Sequence, residues 1–239
     1  MRIAVIGSKG ILGRDLAGWL SARHEIAGLD IVDVESCETE PDRAFRVNAL
    51  GSQNLAIAAQ QANADYLYIS SDYVFDGRSK LAGEVLARQI CPRSYIVRTA
   101  WLIGHRQGNY VERVLELADR DGIVRMATDQ LESPTYTLHL AEAVEKLFQT
   151  GAYGTYHITS MGACTRLEFA AFVLETACRR EEVGELERAR LKRQAERPCR
   201  TVLDCRLFGL VTGHNMPEWR QGIQEYFDNR RTTKPTRSR

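Results

Sequence analysis

Apolar positions along the chain follow two alternating spacings. Ile3, Ala4, Val5 and Ile6 form an unbroken run, as in a strand buried on both faces. Leu12, Leu16, Trp19 and Leu20 then recur at helical spacing, and Glu25 to Leu29 forms a second strand-like run. Ile31-Val32-Asp33-Val34 either extends that strand or forms another. A helix is predicted from Pro41, which suits a first turn with Thr39 in capping position, through Phe45, Val47, Leu50, Leu55 and Ile57 to about Ala62. Tyr66–Ile69 reads as a strand, about Ser79 to Leu86 as a helix, and Tyr95–Thr99 as a strand. Val111, Val114, Leu115 and Ala118 mark a helix that Asn109 begins. Leu140, Val144 and Leu147 mark another, between Thr137 and Phe148. Gly154–Thr159 reads as a strand, and Thr165 with Glu168 as a capping box opening the next helix. A last helix follows Trp219 and ends near Tyr226 and Phe227. Alternating strands and helices predict an α/β fold with a doubly wound parallel sheet.

Composition narrows the function classes. The chain has 239 residues, 44% apolar and 26% charged, with a net charge of +1, so no global field drives it to nucleic acid or membrane. Arg2 leads straight into a strand, unlike a signal peptide, and no apolar run is long enough to span a bilayer. The six cysteines form no C-x-x-C pair and read as reduced thiols of a cytoplasmic protein. The five histidines lack ligand spacing, so no metal is expected. Arg179 to Arg197 mixes both charges densely and reads as a solvated helix or loop. Asn229–Arg239 carries five basic residues without an apolar anchor and reads as a disordered tail.

The first strand runs into Gly7-Ser8-Lys9-Gly10-Ile11-Leu12-Gly13, spaced G-x-x-G-x-x-G. A strand, a glycine turn and a helix start together place free amides at the positive end of a helix dipole, which is a pyrophosphate site. Gly10 lets the backbone approach the phosphates, and the amides of Ile11, Leu12 and Gly13 face them. Asp30 closes the second strand, about where an acidic residue meets the adenine ribose. It favours NAD by repelling a 2′-phosphate, while Lys9 offsets that repulsion, so NADH and NADPH both stay open. The loop makes the predicted sheet Rossmann-like. Residues 1–128 read as the dinucleotide-binding core, 129–228 as a smaller substrate-binding lobe with the last core elements, and 229–239 as the tail.

Further stretches carry a resemblance. They are Glu40 to Phe45 with Val47-Asn48-Ala49-Leu50-Gly51; Ile69 to Gly77; Arg78-Ser79-Lys80-Leu81-Ala82-Gly83-Glu84; Arg98-Thr99-Ala100-Trp101; Asp129-Gln130; Ser133-Pro134-Thr135-Tyr136; Gly154-Thr155-Tyr156-His157; Arg197-Pro198; and Met216-Pro217 with Trp219. With the glycine loop they resemble the extended short-chain dehydrogenase/reductases, and within them the reductases of nucleotide-linked 4-keto-6-deoxy sugars that lead to dTDP-L-rhamnose. The resemblance implies a homodimer, an NAD(P)H cofactor and a nucleotide-sugar substrate. It makes Ser71 the hydroxyl that binds the carbonyl oxygen and Lys80 the catalytic lysine that also holds the nicotinamide ribose, and it adds Ser70 to the cofactor side. Tyr73, Trp101, Asn109, Gln130 and Arg197 become candidate substrate contacts. Trp101 is a wall against the sugar or a core aromatic, and Asn109 a contact or a helix cap.

The pattern departs from the family in two places. The proton donor there is a tyrosine four residues before the lysine, on a shared helix face. Here that residue is Asp76, and Gly77 abuts Arg78 without the loop that carries the tyrosine. An aspartate, with a reference pKa near ~3.9 and a lysine close by, stays ionised and donates no proton. Between Leu29 and Pro41 the family also has a strand that lies beside the first one. A parallel neighbour needs a crossover of about a dozen residues, which this chain lacks. Three readings stay open: residues absent from the chain as written, a shortened non-catalytic member, or a rearranged site using Tyr73.

Overall fold

The computed structural model describes residues 2–6, 8–29, 41–75, 78–105, 108–186 and 199–233. The chain alternates as predicted: β1 (Arg2–Ile6), α1 (Ile11–Ser21), β2 (Glu25–Leu29), α2 (Pro41–Phe45), α3 (Gly51–Gln61), β3 (Tyr66–Ser71), α4 (Arg78–Ile90) and β4 (Ser94–Thr99). A π turn over Arg46–Leu50 joins α2 to α3, so the one helix expected from Pro41 is continuous but not uniformly α. Then come β5 (Leu102–Ile103), α5 (Tyr110–Asp121), β6 (Ile123–Met126), β7 (Thr135–Tyr136), α6 (Thr137–Thr150), β8 (Gly154–His157), α7 (Arg166–Thr176), β9 (Glu182–Glu185), α8 (Arg206–Thr212) and α9 (Trp219–Thr233).

Every strand pair in the described sheets is parallel. β3, β4 and β8 form a three-stranded sheet with β4 in the middle. Its side chains alternate between two cores, as a period of two requires. Tyr95 and Val97 join Leu12, Leu16 and Leu20 of α1 and Leu140, Val144 and Leu147 of α6. Ile96 joins Ala56 of α3 and Ala87 of α4 on the opposite face. This sheet is doubly wound.

β1 and β2 behave differently. They pair with each other from Arg2↔Glu25 to Ile6↔Leu29, and among the described residues β1 has no hydrogen-bonded neighbour on its other edge. Among the described residues, the strands therefore fall into separate sheets, β1–β2 and β3–β4–β8. The expectation that β1 is buried on both faces is corrected. Val5 is buried and Ile3 and Ile26 pack toward α1, whereas Ala4 and its register partner Ala27 are exposed. Nothing in the described chain covers that second face. Residues 30–40, including Asp30 and the Ile31–Val34 run, lie outside the described residues.

The C-terminal half forms a third core, in which α5, α7 and α9 bury Val111, Val114, Phe169, Val173, Trp219 and Ile223. Two expectations change here. Part of the charged stretch after Arg179 is strand β9, because β6 offers it a parallel edge from Ile123↔Glu182 to Met126↔Glu185. The last helix continues to Thr233, so the first residues of the expected disordered tail are helical. Asn229 donates to the Tyr136 hydroxyl at 3.0 Å and Arg230 pairs with Glu112 at 3.2 Å, which anchors that last turn.

Candidate active site

The glycine turn leads into α1 at Gly10. Gly10 is the N-cap residue in extended conformation and brings no side chain to cap the helix, and the first turn carries no acidic residue. A helix N-terminus of this kind favours an anion, and Lys9 is exposed beside it. These features suit a dinucleotide pyrophosphate. Gly7 lies outside the described residues.

The end of β3 supplies the next groups. Ser70 is buried and its hydroxyl has no hydrogen-bond partner among the described residues. The Ser71 hydroxyl donates to the Asp72 carboxylate at 2.7 Å. Lys80 is half-buried near the start of α4, with its ammonium 6.0 Å from the centroid of the Tyr68 ring on β3. Burial pushes the Tyr68 phenol well above the usual tyrosine range, and its hydroxyl donates to the Asn48 carbonyl at 3.3 Å. Tyr68 thus stays protonated and tied to α2–α3. Asp76, Gly77 and the side chain of Tyr73 lie outside the described residues.

Two contacts fix α4 against the sheet. A Cβ at Gly83 would collide with the Asn48 carbonyl and the Tyr68 hydroxyl, so only glycine permits that approach. Glu84, four residues after Lys80, takes Arg98 of β4 in a two-pronged pair at 2.9 and 2.6 Å, with side chains only 5% and 18% exposed. Motif reading quoted both residues without a role; the i, i+4 spacing from Lys80 was the available signal.

The segment after β4 turns toward α1. Trp101 adopts a left-handed backbone with φ 40°, and its ring packs on Phe169 at 4.7 Å and edge-on to Tyr110 at 5.4 Å. It is half-buried, so it joins the core and keeps part of its surface open. Gly104 lies against α1: a Cβ there would sit 2.7 Å from Ile11, Asp15 and Thr137 side-chain atoms. The buried Asp15 carboxylate accepts from the Thr137 hydroxyl and from the His105 amide at 3.4 Å. Sequence reading missed Asp15, since its partners lie about ninety residues and more away.

Asn109 acts as a cap. Its side-chain oxygen accepts from the amides of Val111 at 2.8 Å and Glu112 at 3.2 Å, and its nitrogen donates to the Gly104 carbonyl at 2.7 Å and the Tyr226 hydroxyl at 3.1 Å. The cap is one of the two readings the sequence left open. Gln130 is buried in the loop before Leu131, and Arg197 lies outside the described residues.

Comparison with known proteins agrees with this layout. A sequence model of the RmlD substrate binding domain matches residues 30–79 and 76–232. The two matched stretches meet and overlap at residues 76–79. The spore coat polysaccharide biosynthesis protein SpsK of Bacillus subtilis is 34% identical over 216 residues, spanning 82% of this chain and 76% of that protein. The dTDP-4-dehydrorhamnose reductase of Mycolicibacterium smegmatis is 30% identical over 275 positions, spanning 94% of this chain and 84% of that protein. Since 94% of 239 residues is about 225, some fifty of the 275 positions have no residue here. Among solved structures, a dTDP-4-dehydrorhamnose reductase from Clostridium acetobutylicum superposes with a TM-score of 0.91 at 29% identity, over 97% of this chain and 100% of that one. The Bacillus anthracis reductase, solved in complex with NADP, gives 0.90 at 27% identity, over 95% and 99%. By its match over most of its length, the chain belongs to the RmlD substrate binding domain family, within the extended short-chain dehydrogenase/reductases.

Proposed function

We propose that this protein reduces the 4-keto group of dTDP-6-deoxy-L-lyxo-4-hexulose with NAD(P)H and releases dTDP-L-rhamnose. The observation that carries the reading is the packing of α4 on β3, which puts Lys80 against the strand that ends in Ser70 and Ser71. Those are the residue types a keto-sugar reductase needs there. The amides of Ile11, Leu12 and Gly13 would hold the cofactor diphosphate, with Lys9 beside the turn and Ser70 and Lys80 toward the nicotinamide end. When bound, the reduced nicotinamide supplies a hydride to the keto carbon. The Ser71 hydroxyl turns from Asp72 to the carbonyl oxygen and donates a hydrogen bond as negative charge gathers there. The Lys80 ammonium adds a positive charge facing the same oxygen. The chain has no tyrosine four residues before Lys80, so the proton that completes the alcohol arrives through another group.

Trp101, Gln130 and Arg197 face the nucleotide sugar in this reading, with Tyr73 at the turn that follows β3. The left-handed backbone of Trp101 supports a functional role, because such strain persists where the surroundings over-determine it. The resemblance also supports a cytoplasmic homodimer, which light scattering on purified protein measures. Among the described residues, no helix is long and apolar enough to cross a membrane.

The test follows NADPH oxidation with the keto-sugar. Turnover in the unsubstituted chain that Lys80→Ala abolishes supports the reductase reading. Tight NADPH binding without turnover in the unsubstituted chain sinks it.

A further inference from the structure

We propose that Arg166 is a positioning residue that fixes the Trp101 ring for the nucleotide sugar. The inference rests on Trp101 contacting the substrate.

Arg166 sits where a helix least favours it. It is the first residue of α7, right after the Thr165 cap, so its cation meets the positive end of the helix dipole. Its side chain is only 11% exposed. The helix dipole alone gives no reason to bury a cation there. The contacts give one. The guanidinium lies over the Trp101 ring at 4.9 Å and over the Tyr110 ring at 4.8 Å. Its Nη2 donates to Glu132 at 2.8 Å, and that carboxylate is 5% exposed. Glu132 is in turn locked to the segment before α7, because its backbone exchanges hydrogen bonds with Cys164 at 3.1 and 2.9 Å.

The clamp acts on a side chain that needs one. Trp101 has a backbone conformation that residues with a Cβ rarely adopt. The Trp101 carbonyl accepts from the Thr135 amide at 2.9 Å, which holds the backbone. The indole N–H has no acceptor among the described residues, so hydrogen bonding does not orient the ring. Phe169, Tyr110 and Arg166 do. A flat guanidinium desolvated against two rings gives both attraction and orientation, and a lysine gives only the first.

The experiment uses the full chain with Trp101→Phe, Arg166→Met, their combination, and Arg166→Lys. Calorimetry reads dTDP and NADPH binding, and steady-state assays read KM and kcat for the keto-sugar. Each single substitution to Phe or Met should weaken dTDP binding and raise KM roughly tenfold, with NADPH affinity unchanged and the loss in KM rather than kcat. The combination should be no worse than either single change, because both remove one arrangement. Arg166→Lys should recover part of the loss. Losses that multiply in the combination, or an Arg166→Met protein that binds dTDP like its parent, overturn the proposal while leaving Trp101 its role. A Trp101→Phe protein with parental dTDP affinity removes the substrate role of Trp101 and the proposal with it. Should Arg166→Met fail to fold because it strands Glu132, the Arg166→Met, Glu132→Gln protein carries the same expectations without a buried unpaired carboxylate.

Discussion

The two sheets of the nucleotide-binding half are built on the same βα alternation and end up differently supported. In the β3–β4–β8 sheet, β4 is covered by α1 and α6 on one face and by α3 and α4 on the other. In the β1–β2 sheet, one face meets α1 and the other shows Ala4 and Ala27 to solvent. The strand that leads into the glycine turn is the less protected one. α1 is therefore positioned from below and behind, by Leu12, Leu16 and Leu20 against α6 and by Asp15 against Thr137 and His105, more than by the sheet it follows.

The comparison predicts unequal responses. Glu84→Ala removes the carboxylate that pairs with the buried Arg98 guanidinium in the well-covered sheet, and should cost about 3–5 kcal/mol in chemical denaturation. Leu16→Ala should cost about 3 kcal/mol as a core truncation at a 6% exposed site. It should also weaken NADPH binding, because α1 loses its seat. Unchanged NADPH affinity in a folded Leu16→Ala protein would show that β1 and β2 hold the turn after all.

The smallest effect is on pH dependence. Burial, then the Arg98 guanidinium, lowers the His157 pKa from its ordinary 6.5, against the opposing pull of Asp204 and Glu84. Burial also lowers that of His105, with Asp15 opposing and Arg230 adding to the shift. A depressed folded-state pKa means the fold favours the neutral ring. The stability these rings contribute is present above 6.5 and is lost as pH falls through the folded values. Thermal scans should show Tm declining from pH 7 toward pH 5, and His157→Asn should flatten that decline.

Local pattern carried much of the fold because it depends on neighbours in sequence. The strand-turn-helix at Gly10, the Asn109 cap and the Thr165–Glu168 box each close within a few residues. β9 was not legible, since Glu182–Glu185 is half charged and becomes a strand only beside β6. The helical start of the tail was hidden for the same reason: Asn229 and Arg230 look solvated until Tyr136 and Glu112 meet them.

The site divides along the same line. The sequence by itself determined the chemical inventory: an amide-rich turn, a serine pair at a strand end, a lysine one helix later, and a departure from the family before that lysine. Only the tertiary structure decided how those groups are held. It supplied Glu84–Arg98 under the Lys80 helix, Asp15 against Thr137, and Arg166 over Trp101. Apart from Glu84 and Arg98, those partners lie tens of residues apart along the chain. Only folding brings them into contact, and no local spacing records it.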